Sequence, residues 1–329
     1  MKRLFFVFMV VSTNLGFSQE TTSVNIYTIF ANVVFEPFRF PLIGFFNVAN
    51  GNHQSPQIGF VNLNTQNFSS LQAGFINTIG GNLDGLQLGF INTSVGETQG
   101  AQIGFVNTTS SFKGAQTGFV NTAYKEADGA QIGFVNIANE KKGAQISFIN
   151  IAKRSVNGVQ IGFVNFVDTL EKGVPIGFVS IVRHGGYRAI EFSFTELYPV
   201  NIGFKIGVEK IYSTVFLSYN PFEEFSRKSI ATGVGLGCIL PFSSHFFFNP
   251  ELNFLSSFGK NQNSLLSLVP YFGYNFNDKM SIVVGPSVTW MHRNENKTLQ
   301  TPFFVINNSE INQNNGIAVG ARVGIRYRF

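Results

Sequence analysis

The sequence predicts an all-β protein in two parts: a β-repeat array, then an eight-stranded antiparallel transmembrane β-barrel. Three observations predict it. Gly-Phe recurs at a spacing of about 15 residues through the first half. From about Tyr187 the chain alternates apolar residues with glycine or polar ones. Aromatics make up 15% of the chain, with 39 phenylalanines, whereas charged residues are only 12%. That charge is about half the usual share for a soluble domain, so part of the surface is expected to meet a solvent other than water. No apolar run approaches the length of a spanning helix, which leaves a closed barrel as the membrane option.

Residues 1–18 read as a secretory signal peptide. Met1-Lys2-Arg3 is basic, Leu4 to Val11 is apolar, and Gly16-Phe17-Ser18 offers small residues for cleavage. Its removal takes 23 basic residues to 21 against 18 acidic, a net +3. The basic residues are scattered, so nucleic acid is not an expected partner. The single cysteine, Cys238, excludes an internal disulfide framework, and no cysteine follows the apolar start to carry a lipid. Residues 19–41 form an N-terminal β segment that contains Val24-Asn25-Ile26-Tyr27 and Phe38-Arg39-Phe40. These runs are candidates for extra membrane-crossing strands.

Residues 42–183 hold the repeat, whose fullest form is Gly129 to Asn136. Gln recurs from Gln57 to Gln160 and Asn from Asn47 to Asn165. Each unit reads as one strand rich in Ile, Val, Phe and Thr. Strict alternation puts Ala101, Ile103, Phe105 and Asn107 on one face, and Gln102, Gly104, Val106 and Thr108 on the other. Charges sit only in connections such as Asn139 to Gly143 and mark solvated turns. A parallel β-solenoid explains the single-strand period: Phe would stack on Phe, and inward Asn amides would form a ladder. The alternative is one continuous barrel of about 18 strands, wide enough for an aqueous lumen. It would aim Asn at lipid many times over, which is costly.

Residues 187–329 read as the barrel. The last strand is clearest. Val319, Ala321, Val323, Ile325, Tyr327 and Phe329 alternate with Gly320, Arg322, Gly324, Arg326 and Arg328. Seven earlier strands fit the same scheme, for an even total. They begin near Ile190, Ile202, Ile211, Thr232, Phe246, Leu266 and Ile282. Connections near Pro241 and Asn277-Asp278-Lys279 are short, whereas Asn220 to Lys228 and Asn294 to Asn314 are long. This is the usual difference between periplasmic turns and external loops. So narrow a barrel is filled by side chains, with Glu191, Glu209 and Glu251 expected to pair inside with Lys205, Arg322, Arg326 and Arg328. Outer-membrane lipids and the barrel-insertion machinery, which reads a terminal aromatic such as Phe329, are the expected partners.

The Gly-x-Gln-Ile-Gly-Phe-Val-Asn unit resembles the surface repeat-containing protein family first described in spirochaetes. The exit Gly173-Val174-Pro175-Ile176-Gly177-Phe178-Val179, followed by Gly186-Tyr187, is similar too. The likeness covers about residues 42–255. It implies an exported, envelope-associated protein with no assigned activity, so no functional residues carry over. The final Arg-Tyr-Arg-Phe suits a Bacteroidetes-like outer-membrane protein.

Little chemistry is legible. His53, His184, His245 and His292 lack metal-ligand spacing, so no metal or cofactor is expected. Gly233-Val234-Gly235-Leu236-Gly237 mimics part of a dinucleotide motif without its strand–helix context and reads better as inward barrel glycines. His245 beside Ser243 and Ser244 is a remote candidate for a lipid-modifying barrel enzyme. The favoured reading is not an enzyme. It is an outer-membrane or cell-surface structural or interaction protein, in which a barrel anchor presents uncharged Gln/Thr ladders as a binding face to an unknown surface or periplasmic partner. The alternative is an outer-membrane channel with the repeats as staves.

Overall fold

In the computed structural model the Gly-Phe period becomes a parallel stack. The structure describes residues 25–36, 38–222, 229–258, 263–292, 305–312 and 315–329; the signal segment 1–18 lies outside them. Each unit is one coil of a β-solenoid of about ten turns. Like residues pair across coils, Gln57 with Gln72, Asn47 with Asn62 and Asn62 with Asn77. The last coil, Val174–His184, lies parallel on its predecessor, Gly177 opposite Gly162. The repeats are therefore not staves of one large barrel.

The described part of the N-terminal β segment adds no stave to the barrel. Ala31–Phe35 pairs in parallel with Phe46–Asn50 and forms the first coil, and Ile26–Tyr27 folds antiparallel across it. An antiparallel cover over the end of a parallel stack occupies hydrogen-bonding groups that would otherwise recruit another chain.

Strict alternation fails inside each coil. Gln102 and Asn107 are both fully buried, whereas Ile103 and Phe105 are both about 45% exposed. The chain turns a corner at Gly104-Phe105-Val106, which changes the parity of the pattern. Glycine is needed there because a Cβ on Gly104 would sit 2.1 Å from the Gly89 carbonyl oxygen and 2.6 Å from Asn92 Nδ2. Gly129 makes the turn into the next strand at φ 139°, a conformation side-chain-bearing residues rarely adopt.

The eight predicted staves form a closed antiparallel barrel. They are β1 Tyr187–Phe194, β2 Val200–Val208, β3 Ile211–Tyr219, β4 Ile230–Gly237, β5 Phe246–Ser257, β6 Ser264–Asn275, β7 Met280–His292 and β8 Asn315–Arg328. Neighbours in sequence pair in order, and β1 closes on β8 with Ala189 opposite Arg328 and Phe194 opposite Val323. The fourth stave breaks after Gly237, where Asn249 Nδ2 bonds the Cys238 carbonyl (2.7 Å), and its pairing resumes at Leu240 and Pro241, opposite Phe248 and Phe247. The segment read as a long open loop before the last stave contains a strand, Val305–Asn312, which pairs with the start of β8.

Candidate functional site

Three features carry the chemistry: the polar core of the solenoid, its apolar edge, and the filled lumen of the barrel. The solenoid interior combines polar ladders with small apolar clusters such as Phe68, Ile79 and Leu83. The once-per-coil Asn row from Asn32 to Asn165 is buried, and from Asn32 to Asn150 each Nδ2 donates to the Oδ1 one coil later at 2.7–3.1 Å. Most also donate to a backbone carbonyl, as Asn121 does to Ile132 O at 3.0 Å. Because a carbonyl can only accept, that bond fixes which end of the amide is nitrogen. The Gln ladder runs the other way: Gln72, Gln87, Gln102 and their successors donate one coil back, at 2.5–2.8 Å. The opposed amide dipoles offset each other along the axis. The exit motif ends both ladders, with Ser180 closing the Asn row (3.2 Å) and Pro175 standing opposite Gln160.

One row of apolar residues faces out, although others, such as Phe68, Ile79, Leu83, Phe112 and Ala123, are buried inside. Rings from Phe45 to Phe178 stack at 4.8–5.2 Å with planes within 8° of parallel. Beside them runs a column of Ile58, Leu88, Ile103, Ile132, Ile146, Ile161 and Ile176. The outer face is thus a Phe/Ile edge, and the Gln of the anticipated Gln/Thr face is inside. The widest ring spacing, 5.2 Å between Phe134 and Phe148, falls where Ser147 replaces the corner glycine, and the Asn136–Asn150 bond stretches there to 3.1 Å. Ser147 adds a Cβ and an Oγ at this corner, and the Oγ lies 2.7 Å from both the Ile149 carbonyl oxygen and Asn150 Oδ1.

Charges gather away from this edge. Lys113 pairs with Glu97, Lys142 with Glu126 and Glu140, Arg154 with Glu140 and Glu171, and Arg183 with Asp168, at 2.6–3.4 Å. Lys141 does not fit the solvated-turn reading. It is buried, with Nζ donating to the carbonyls of Gly143 (3.0 Å) and Asn157 (2.5 Å), and burial lowers its pKa to about 8. His53 is buried between the rings of Phe38 and Phe68, and burial lowers its pKa as well.

The barrel lumen is closed by two buried ion clusters. In the first, Lys205 meets Glu251 at 2.6 Å and Glu191 at 3.4 Å, while Arg326 reaches the same two carboxylates at 3.0 and 2.6 Å. Tyr212 adds a 2.5 Å bond to Glu251. In the second, Arg322 grips Glu196 through two bonds of 2.9 and 3.0 Å, and Ser267 and Thr289 complete it. Glu196 was not a predicted partner. It belongs to the β1–β2 connection, which folds into the lumen and carries Leu197 and Tyr198 into a plug with Leu255, Leu265 and Met291. The apolar Leu197-Tyr198-Pro199 in a nominal loop was the available signal. Glu209 and Arg328 pair with each other, but at the rim and 44% exposed, not inside. Inward Gly233, Gly235 and Gly237 give room for Phe216, Asn253 and Tyr212, as a narrow barrel requires.

The remaining void near the plug is about 30 Å³, room for little more than one water. A cavity of about 570 Å³ opens at the short-turn end, lined by residues including Tyr187, Glu209, His245, Lys279 and Arg328. At its rim Ser244 Oγ lies 2.8 Å from His245 Nδ1, while Ser243 Oγ accepts the backbone N–H groups of His245 and Phe246. These bonds fasten a turn. Among the described residues no carboxylate bonds His245, so the three residues do not assemble a nucleophile, base and orienting acid. The other histidines lie apart: His184 against the Asp168 carbonyl, His292 against Asn315. No cluster of potential metal ligands occurs among the described residues.

No protein-family model, curated protein or solved structure matches this chain.

Proposed function

We propose that this chain is an outer-membrane structural or interaction protein whose barrel is a lipid-embedded anchor for the solenoid, and that it is neither a pore nor an enzyme. One observation carries the reading: a closed barrel with an apolar exterior and a filled, ion-paired interior. Outward residues such as Phe192, Ile202, Leu217, Phe254, Leu268, Val284 and Trp290 are about 40–60% exposed, whereas Glu191, Lys205, Glu251 and Arg326 are buried. Water would favour the reverse distribution. On β8 the outward row covers ten residue steps from Ile317 to Tyr327, and at about 3.3 Å per step and about 40° of tilt it spans about 25 Å. That is the height of the apolar band of outer-membrane barrels. Phe246, Phe272, Tyr274, Phe276 and Tyr327 cluster near the short-turn end, as an interfacial aromatic girdle does.

The filled lumen argues against a channel. An ion would have to pass the Leu197–Tyr198 plug and then two buried ion clusters. In the usual orientation of such barrels the short turns and the C-terminus face the periplasm. The solenoid joins β1 at that end through Gly185-Gly186, and its first coil adds no further crossing, so the same orientation puts it on the periplasmic side.

Trp290 is the only tryptophan in the chain and lies on the outer wall, which makes it an intrinsic reporter. Reconstituted into vesicles whose acyl chains carry bromine, the protein should show quenched Trp290 emission and baseline conductance in planar bilayers. Unquenched Trp290 in folded protein refutes the anchor, and steady single-channel currents refute the sealed lumen.

A further inference from the structure

The solenoid edge exposes more hydrocarbon than a water-facing surface should. Ten stacked rings, each nearly half exposed, leave about 900 Å² of aromatic surface at roughly 200 Å² per ring. The largest apolar patch on a typical soluble monomer is about 300–600 Å². The backbone beneath is already satisfied, because each coil bonds the coils before and after it. An apolar surface with no free backbone polar group is what a hydrocarbon solvent demands.

The direction this edge faces is set where the solenoid meets the barrel. Ser213 and Val208, on the outer wall at the short-turn end, are covered by the last coil. Ser213 Oγ donates to the Gly177 carbonyl at 2.9 Å, and Val208 packs with Val182. On the same coil Ile176 and Phe178 line a groove of about 450 Å³ together with lipid-facing Val215, Leu236, Leu252 and Phe254. The apolar edge therefore begins against the apolar wall of the barrel. Successive rings stay stacked at 4.8–5.2 Å, so the apolar row continues unbroken from that contact along the stack. The ion pairs run along a different edge.

From these observations we infer that the solenoid is itself a membrane-contact element: its Phe/Ile edge lies in the lipid leaflet at the short-turn end of the barrel, and its charged edge faces water. The inference rests on the barrel being embedded in lipid. The arrangement is the β counterpart of an amphipathic helix lying in an interface. Lipid suits this edge better than a protein partner does, since one hydrocarbon contour repeats along the whole stack with no polar feature to set a register.

The test uses the full chain in phosphatidylcholine vesicles with brominated acyl chains. Three single-tryptophan proteins are compared. One is the natural chain with Trp290. Two carry Trp290→Phe, with either Thr117→Trp, at the Ile position of its coil, or Tyr124→Trp, beside the charged edge. Thr117 and Tyr124 are both exposed. The expected result is blue-shifted emission and quenching at position 117 comparable with that of Trp290, and none at 124. If Trp290 is quenched and position 117 is not, the edge is outside lipid and the inference fails while the anchor stands. A blue-shifted but unquenched tryptophan at 117 overturns it in favour of a second copy or another protein on the edge. Equal quenching at 117 and 124 overturns the proposed orientation. If Trp290 itself is unquenched, the anchor reading fails and the inference fails with it. Should Thr117→Trp lose heat-modifiable gel mobility, Phe163→Trp is read in its place.

Discussion

Replacing Asn121 with alanine should open the solenoid locally, and by an amount the hydrogen bonds predict. Asn121 is fully buried. Its Nδ2 donates to Asn136 Oδ1 (2.9 Å) and to the Ile132 carbonyl (3.0 Å), and its Oδ1 accepts from Asn107 Nδ2 (2.8 Å). Alanine removes all three bonds and admits no water in their place. Asn107 keeps its bond to the Thr117 carbonyl (2.9 Å), so its amide loses one of two acceptors. Asn136 Oδ1 loses its donor from the preceding coil. Each lost bond costs about 1 kcal/mol net, and each buried group left unsatisfied about 1–3 kcal/mol, so the loss should be about 3–5 kcal/mol. Solenoid stability is nearly a sum of coil terms and coil–coil terms, so the loss should stay local. The assay is hydrogen exchange read by mass spectrometry on peptides covering residues 107–136. At about 1.4 kcal/mol per factor of ten, protection should fall by about 10² to 10⁴. Thr122→Ala, which alters a partly exposed side chain next in sequence, should stay within about 0.5 kcal/mol of the natural chain. Less than a tenfold loss for Asn121→Ala would refute the view that buried amide ladders hold the coils together.

Gly104→Ala should cost about 1–3 kcal/mol, because the new Cβ would sit 2.1 Å from the Gly89 carbonyl oxygen, and this should appear as lost exchange protection on both flanking coils. Lys205→Met should destabilise the barrel by about 3–5 kcal/mol, leaving Glu191 and Glu251 to share Arg326. Lys205→Met with Glu251→Gln should recover most of the loss in denaturant titrations followed by gel mobility. Lys141 has a folded pKa of about 8 against a usual 10.5, so between those values the unfolded chain binds the additional proton and solenoid stability should rise with pH. Melting at pH 7.5 and 9.5 should show that rise, and Lys141→Met should abolish it. His53, also lowered, gives the same sign on the acid side: stability should fall as pH drops below about 6.5, the usual imidazole value, and His53→Phe should flatten that limb.

The sequence by itself determined the period, the order of the two parts and the strands of the barrel. Repetition is a one-dimensional property, and a parallel stack places like residues on like wherever it forms. Dyadic alternation along β8 likewise determines which of its side chains enter the lumen, because extended backbone has a period of two. Tertiary structure decided what local periodicity does not encode. The corner at Gly104-Phe105-Val106 breaks the alternation, so Gln102 and Asn107 turn inward together while Ile103 and Phe105 turn out. A strand rule applied straight through the corner therefore put the buried Gln row on an outer face. Closure of the barrel decided the rest. It brought Glu196, from a connection with no strand pattern, against Arg322, and left Glu209 and Arg328 at the rim. Those pairings depend on the distance across the lumen, which is fixed only once eight tilted strands meet.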